Sequence, residues 1–224
     1  MTNRKNHNSI VFLTTLGVYL GLVLISSTPQ LFAQESQRQE IEINRRPLRD
    51  FGSLLLQKIE KNQVDLTSPF SVELKGTLAR DGKINPKTAR FSMSAGDPKI
   101  VEVAKDAIGA VNNSGVLIYL SNIGINNVRL LLTQDETNLT AELISDLETP
   151  NRAKSVSSSM NFLLSVAKMR QNETNATERQ QDDLILLNGT KVTTDGKSMI
   201  LQFVIPKEKA RERIVRELHG LPRK

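Results

Sequence analysis

The stretch FSVELKGTLARDGKINPKTARFSMSAGDPKIVEVAKDAIGAVNNSG, residues 70–115, decides the fold. It begins with apolar residues at every second position, a period that is typical of a strand with one buried face. Asp81 and Gly82 then supply the residues of a tight turn. Alternate apolar residues from Ala89 to Met93 predict the return strand. The stretch therefore opens with a β-hairpin.

A helix is predicted directly after this hairpin. Asp97 fits the N-cap position and Pro98 fits the first helical position. Apolar residues from 100 to 111 recur at intervals of three and four, which places them on one helical face. Residues 113–115 are predicted to end the helix, because they contain Asn, Ser and Gly.

The same pattern of hairpin and then helix recurs twice further along the chain. The predicted elements outside the opening stretch are a helix at 47–62, a hairpin at 127–145, a helix at 152–169, a hairpin at 190–205 and a helix at 207–219. The last hairpin turns at another Asp-Gly pair, and its return strand, 199–205, is apolar on both sides, which favours an interior place in the sheet. The fold class is therefore α+β, an antiparallel sheet built from β-hairpins with helices packed on one face.

The N-terminal segment predicts export from the cytoplasm. Arg4 and Lys5 precede an apolar stretch at residues 10–25, and positive charge before such a stretch keeps the N-terminus in the cytoplasm. Residues 1–33 fit a secretory signal cut after Ala33. Residues 9–27 are also long enough for a retained inner-membrane anchor, so both alternatives stay open. A polar tether at 34–46 follows, and the body of the protein is expected outside the cytoplasm in either case.

The chain offers little for catalysis or for metal binding. It has no cysteine and two histidines, His7 and His219, so neither thiolate sites nor a His-based triad are supported. No His pair or calcium loop occurs. The net charge of +6 is spread among 24 acids, and aromatic residues are only 4%, which disfavours nucleic-acid binding. We expect no enzyme, no catalytic residue, no metal and no cofactor.

Residues 45–135 resemble the C-terminal domains of TonB and TolA-like energy transducers. The resemblance lies in the hairpin turn, in the small residues before the helix and in the Ala-rich helix itself. The matching positions are Asp81, Gly82 and Lys83, residues 94–97, and Ala104, Ala107 and Ala110. The resemblance implies a TonB-like α+β region at 47–135, to which residues 136–220 add a further hairpin-helix region packed with the first.

The resemblance also implies a function. It suggests a cell-envelope protein that binds a protein or peptide partner in transport or energy transduction, with the partner added as a strand at a sheet edge. We expect that edge in the strand after the opening helix. The expected partner-binding residues are Val128, Arg129, Leu130, Leu131, Leu132 and Thr133.

A second hypothesis comes from the strand at 199–205. Its two apolar sides would also suit a periplasmic or secreted domain that binds a small apolar ligand or lipid between the sheet and the helices.

Overall fold

The computed structural model describes residues 43–171 and 187–219. The predicted signal or anchor at 1–33 and most of the tether at 34–46 lie outside these ranges. Within them, no helix is both long and apolar enough to cross a membrane. The elements run in the order α1 (Arg46–Glu60), β1 (Phe70–Thr77), β2 (Arg90–Gly96), α2 (Pro98–Ser114), α3 (Ile118–Asn122), β3 (Asn127–Gln134), β4 (Asn138–Asp146), α4 (Pro150–Gln171), β5 (Thr190–Asp195), β6 (Ser198–Pro206) and α5 (Lys207–His219).

The six strands form one antiparallel sheet in the order β2-β1-β3-β4-β6-β5. Consecutive strands pair as three hairpins, and the helices α2, α4 and α5 follow the first, second and third hairpin. This arrangement confirms the α+β class and the recurrence of hairpin and helix. The apolar strand β6 lies between β4 and β5, so its predicted interior position is also confirmed.

The three helices that follow the hairpins pack on one face of the sheet, and α1 packs against α2. The strand registers place one buried set of side chains on a common side, namely Val72, Leu74, Val128, Leu130, Leu143, Val192, Met199, Leu201, Phe203 and Ile205. Helix α2 contacts β1, β2 and β3, whereas α4 contacts β5 and β6, and α5 contacts β4 and β6. The opposite face carries polar and half-buried residues, and we call it the open face.

The first hairpin has the predicted turn at Asp81 and Gly82, and α2 has the predicted caps at its two ends. The Asp97 carboxylate accepts hydrogen bonds from the backbone N–H of Lys99 (2.9 Å) and of Ile100 (3.4 Å). Gly115 ends the helix with a left-handed φ of 72°. The turn containing Gly82 packs against the end of α2. A Cβ at Gly82 would clash with the backbone nitrogen of Ile118, so a side chain has no room there.

The short helix α3 was not predicted. Its segment reads as an apolar run, and Val116, Leu117 and Leu120 are buried in the core. The predicted division at 135/136 falls in the turn between β3 and β4. One hydrophobic cluster includes residues from both sides of that turn, such as Leu48 and Leu201, so the two regions share one sheet and one core.

Candidate functional site: the two edges of the sheet

The prediction that residues 128–133 form an edge of the sheet is wrong. These residues lie in β3, which pairs with β1 on one side and with β4 on the other. Both rows of its backbone hydrogen-bonding groups are occupied, so a peptide cannot be added to this strand. The sheet order is the physical reason, because β1 rather than β2 lies next to β3. That these residues bind a partner stays a prediction, but strand addition at β3 is ruled out.

One true edge of the sheet is β2. Within the described residues it pairs with β1 alone, and all seven of its residues are exposed. Phe91 and Met93 are 44% and 41% exposed, unusually high values for large apolar side chains in a strand. Native proteins usually protect an edge with charge, proline or a covering element. Here the only charged residue of β2 is Arg90, at its beginning.

The geometry of β2 limits where an added strand could pair. Ser92 is an extra residue in the strand, because Glu73 is opposite Met93 and Leu74 is opposite Phe91. This bulge interrupts the pairing, and residues 93–96 form the regular part of the edge. On the helical side, the Lys105 ammonium lies 5.3 Å from the centre of the Phe91 ring. The accessible regular edge is therefore short.

The other edge, β5, is occupied by side chains of α4. The Asn161 amide donates to the Val192 carbonyl oxygen (2.8 Å), and its oxygen accepts from the Val192 N–H (3.3 Å). Ser157 donates to the Thr193 carbonyl oxygen at 3.4 Å. A carboxamide that both donates to and accepts from one residue reproduces the hydrogen bonds of a neighbouring strand. The outer edge of β5 is thus closed at its centre.

The central hairpin is held by an acidic turn. Asp135 Oδ1 accepts from the backbone N–H of Thr137 and of Asn138, each at 2.7 Å, and from the Thr137 hydroxyl at 2.9 Å. These bonds, chiefly those from the Asn138 and Thr137 N–H groups, lower the pKa of Asp135 below its ordinary value. In the loop before β1, bonds from Thr67 lower the pKa of Asp65 in the same way.

The described residues contain no cluster of three or more His, Cys, Asp or Glu side chains that could hold a metal ion. The apolar strand β6 motivated the hypothesis of an apolar ligand, and its inward side chains are packed in hydrophobic clusters with the helices. That hypothesis remains a prediction.

No family model, no curated protein and no solved structure matches this chain.

Sequence reasoning did not identify either edge. The exposed apolar residues Phe91 and Met93 were visible in the sequence as strand residues, but a strand's place in a sheet depends on long-range pairing. Asn161 lies in a Ser-rich helix, where one more polar residue does not indicate a structural role. Nothing in its local sequence indicates that it contacts a strand 31 residues away.

Proposed function

We propose that this chain is a cell-envelope protein whose folded domain binds an extended segment of a protein partner as an additional strand along β2. The observation that carries the proposal is the difference between the two edges. Asn161 closes β5, whereas no described residue pairs with the outer edge of β2. Strand addition takes its affinity from backbone hydrogen bonds and needs no catalytic group.

The N-terminal sequence supports the proposed location in the cell envelope, and the family resemblance supports the proposed mode of partner binding. An apolar segment preceded by Arg4 and Lys5 directs the rest of the chain across a membrane. The resemblance of residues 45–135 to TonB and TolA-like domains suggests a partner in transport or energy transduction. The strand that would pair with this partner is β2 in place of β3.

Site-specific photocrosslinking in native cells tests this proposal. A photoreactive residue is introduced at Ala95 in β2 or at Thr193 in β5; both positions are exposed and lie on the open face of an edge strand. We expect an adduct with a second protein at Ala95 and none at Thr193, because Thr193 lies on the closed edge. The crosslinked segment is then identified by mass spectrometry.

Hydrogen exchange provides the second readout. A synthetic peptide of the identified segment should slow amide exchange in β2 and leave β5 unchanged, because new backbone hydrogen bonds protect only the strand that forms them. An adduct at Thr193 without one at Ala95, or binding without protection of β2, would contradict strand addition at this edge.

A further inference from the structure

Three cationic side chains form a row across three neighbouring strands. Lys75 in β1 is opposite Arg90 in β2 and opposite Arg129 in β3. The register places all three on the open face. Neighbouring strands lie about 4.8 Å apart, so the row extends over roughly 10 Å. Like charges directly opposite each other destabilise a sheet, and such a row therefore needs an explanation.

Among the described residues, no ion pair joins a carboxylate to a member of this row. Three carboxylates on the same face accept hydrogen bonds from uncharged side chains instead. The Ser92 hydroxyl donates to Glu73, the Gln202 amide donates to Glu142, and the Ser198 hydroxyl donates to Asp146.

The row borders a groove of about 420 Å³. The remaining polar lining comes from Thr77, Thr88, Asn127 and Asp146. The Thr77 and Thr88 hydroxyl oxygens are 2.7 Å apart, and Thr88 also accepts from the Thr77 N–H at 2.9 Å. These bonds fix the two hydroxyls beside the cations. Gly76, Val128 and Ile144 complete the lining. Three cations and the Asp146 carboxylate leave a net positive charge, beside ordered hydroxyls and with room for a small group.

We propose that this groove binds a compact phosphate-bearing group with at least two negative charges. Guanidinium groups match the oxygens of a phosphate as paired hydrogen-bond donors, and a lysine adds a point charge. Asp146 supplies one negative charge beside the three cations, so a group with two further negative charges balances the groove. The site is independent of strand addition, because it uses side chains on the open face and not the outer backbone of β2.

Calorimetric titration of the full chain with inorganic pyrophosphate at low ionic strength tests the site. The test variant is Arg129→Gln, and the matched control is Lys191→Gln, which removes one positive charge from the same open face outside the groove. We expect the test variant to weaken binding at least about tenfold, the equivalent of 1.4 kcal/mol. The control should stay within about twofold.

Lys75→Gln is a second test variant, and thermal melting checks that each variant folds. Removing a cation from the middle of the row should raise the melting temperature, because it relieves repulsion. Equal weakening by Lys191→Gln would show diffuse attraction and would overturn the site. Unchanged binding in both test variants would overturn it as well.

The source of the phosphate group is resolved with vesicles. Wild type and Arg129→Gln are compared on phosphatidylcholine vesicles with and without phosphatidic acid, so that the N-terminal apolar segment contributes equally to both. A loss confined to the anionic vesicles assigns the group to a lipid headgroup. A loss seen with pyrophosphate alone assigns it to a soluble ligand. No loss in either arm overturns the proposal.

Discussion

Asn161 shows how a single side chain can determine whether an edge strand is free to pair with another chain. Its amide supplies both a donor and an acceptor to Val192 at the outer edge of β5. An edge strand otherwise presents a template for pairing with another chain. The residue therefore stabilises the fold and removes one possible docking position at the same time.

Asn161→Leu tests this role, because leucine has a similar size and cannot form hydrogen bonds. We expect the free energy of unfolding to fall by about 1–3 kcal/mol, since the backbone groups of Val192 lose their partner. Urea denaturation measures this loss. Ser158→Ala, an exposed change in the same helix, is the control and should stay within about 0.5 kcal/mol. Equal stability of the two variants would mean that the Asn161 bonds are not formed.

Asp135 makes the stability of the central hairpin depend on pH. Its folded-state pKa lies below the ordinary value of 3.8, because the charged carboxylate accepts bonds from Asn138 and Thr137. The stabilisation is fully present above 3.8 and is lost as the pH falls through the lowered pKa. Asp135→Ala should therefore destabilise the protein at neutral pH and much less in strong acid.

Denaturation of wild type and variant at both pH values measures this difference. Glu136→Ala changes the adjacent residue of the same turn, whose side chain accepts none of the hydrogen bonds described for Asp135. It should keep the Asp135 bonds, so stability should still fall as the pH drops through the lowered pKa of Asp135. A difference between wild type and Asp135→Ala that grows on acidification would contradict the assigned direction of the pKa.

The helices and hairpins were predictable as individual elements, because their signals are local. Asp97 and Gly115 mark the ends of α2, and the Asp195-Gly196 pair marks the turn between β5 and β6. Period-two patterns identified the strands beside the turns. For the helix predicted at 152–169, the sequence pattern predicts an apolar stripe of Val156, Met160, Leu163 and Ala167, which is only partly correct. Leu164 is buried where Leu163 was expected, and Phe162 is 64% exposed.

The arrangement of the elements was not predictable in the same way. The order β2-β1-β3 arises because β3 pairs with β1 and not with β2. No residue in β3 indicates locally which strand of the first hairpin it will pair with. The candidate edge was therefore assigned to the wrong strand. The cation row was hidden for the same reason, since Lys75, Arg90 and Arg129 come together only through the register.

At the scale of the whole molecule, the hairpin of β3 and β4 joins the two regions of the chain into one sheet. Val72 in β1 and Met199 in β6 are both fully buried in one hydrophobic cluster. We expect the sheet to unfold as one cooperative unit, because the core has no boundary at residue 135.

Met199→Ala tests this cooperativity. The change should lower the free energy of unfolding by about 2–5 kcal/mol, because it leaves a cavity in the core. Hydrogen exchange should show the loss in β1 as well as in β6. Ser198→Ala, which changes the preceding residue on the open face, is the control and should have a smaller effect. A loss confined to β4, β5 and β6 would indicate two independent units.

Because Asn161 closes β5, it also limits how many other chains can pair with the edges of one sheet. A sheet with two open edges can add copies of itself without end and grow into a fibre, whereas a sheet with one open edge stops after a single addition. Each molecule can thus form one edge-to-edge junction, with a partner or with its own twin. We expect the Asn161 carboxamide, which occupies the centre of β5, to oppose polymerisation through the sheet.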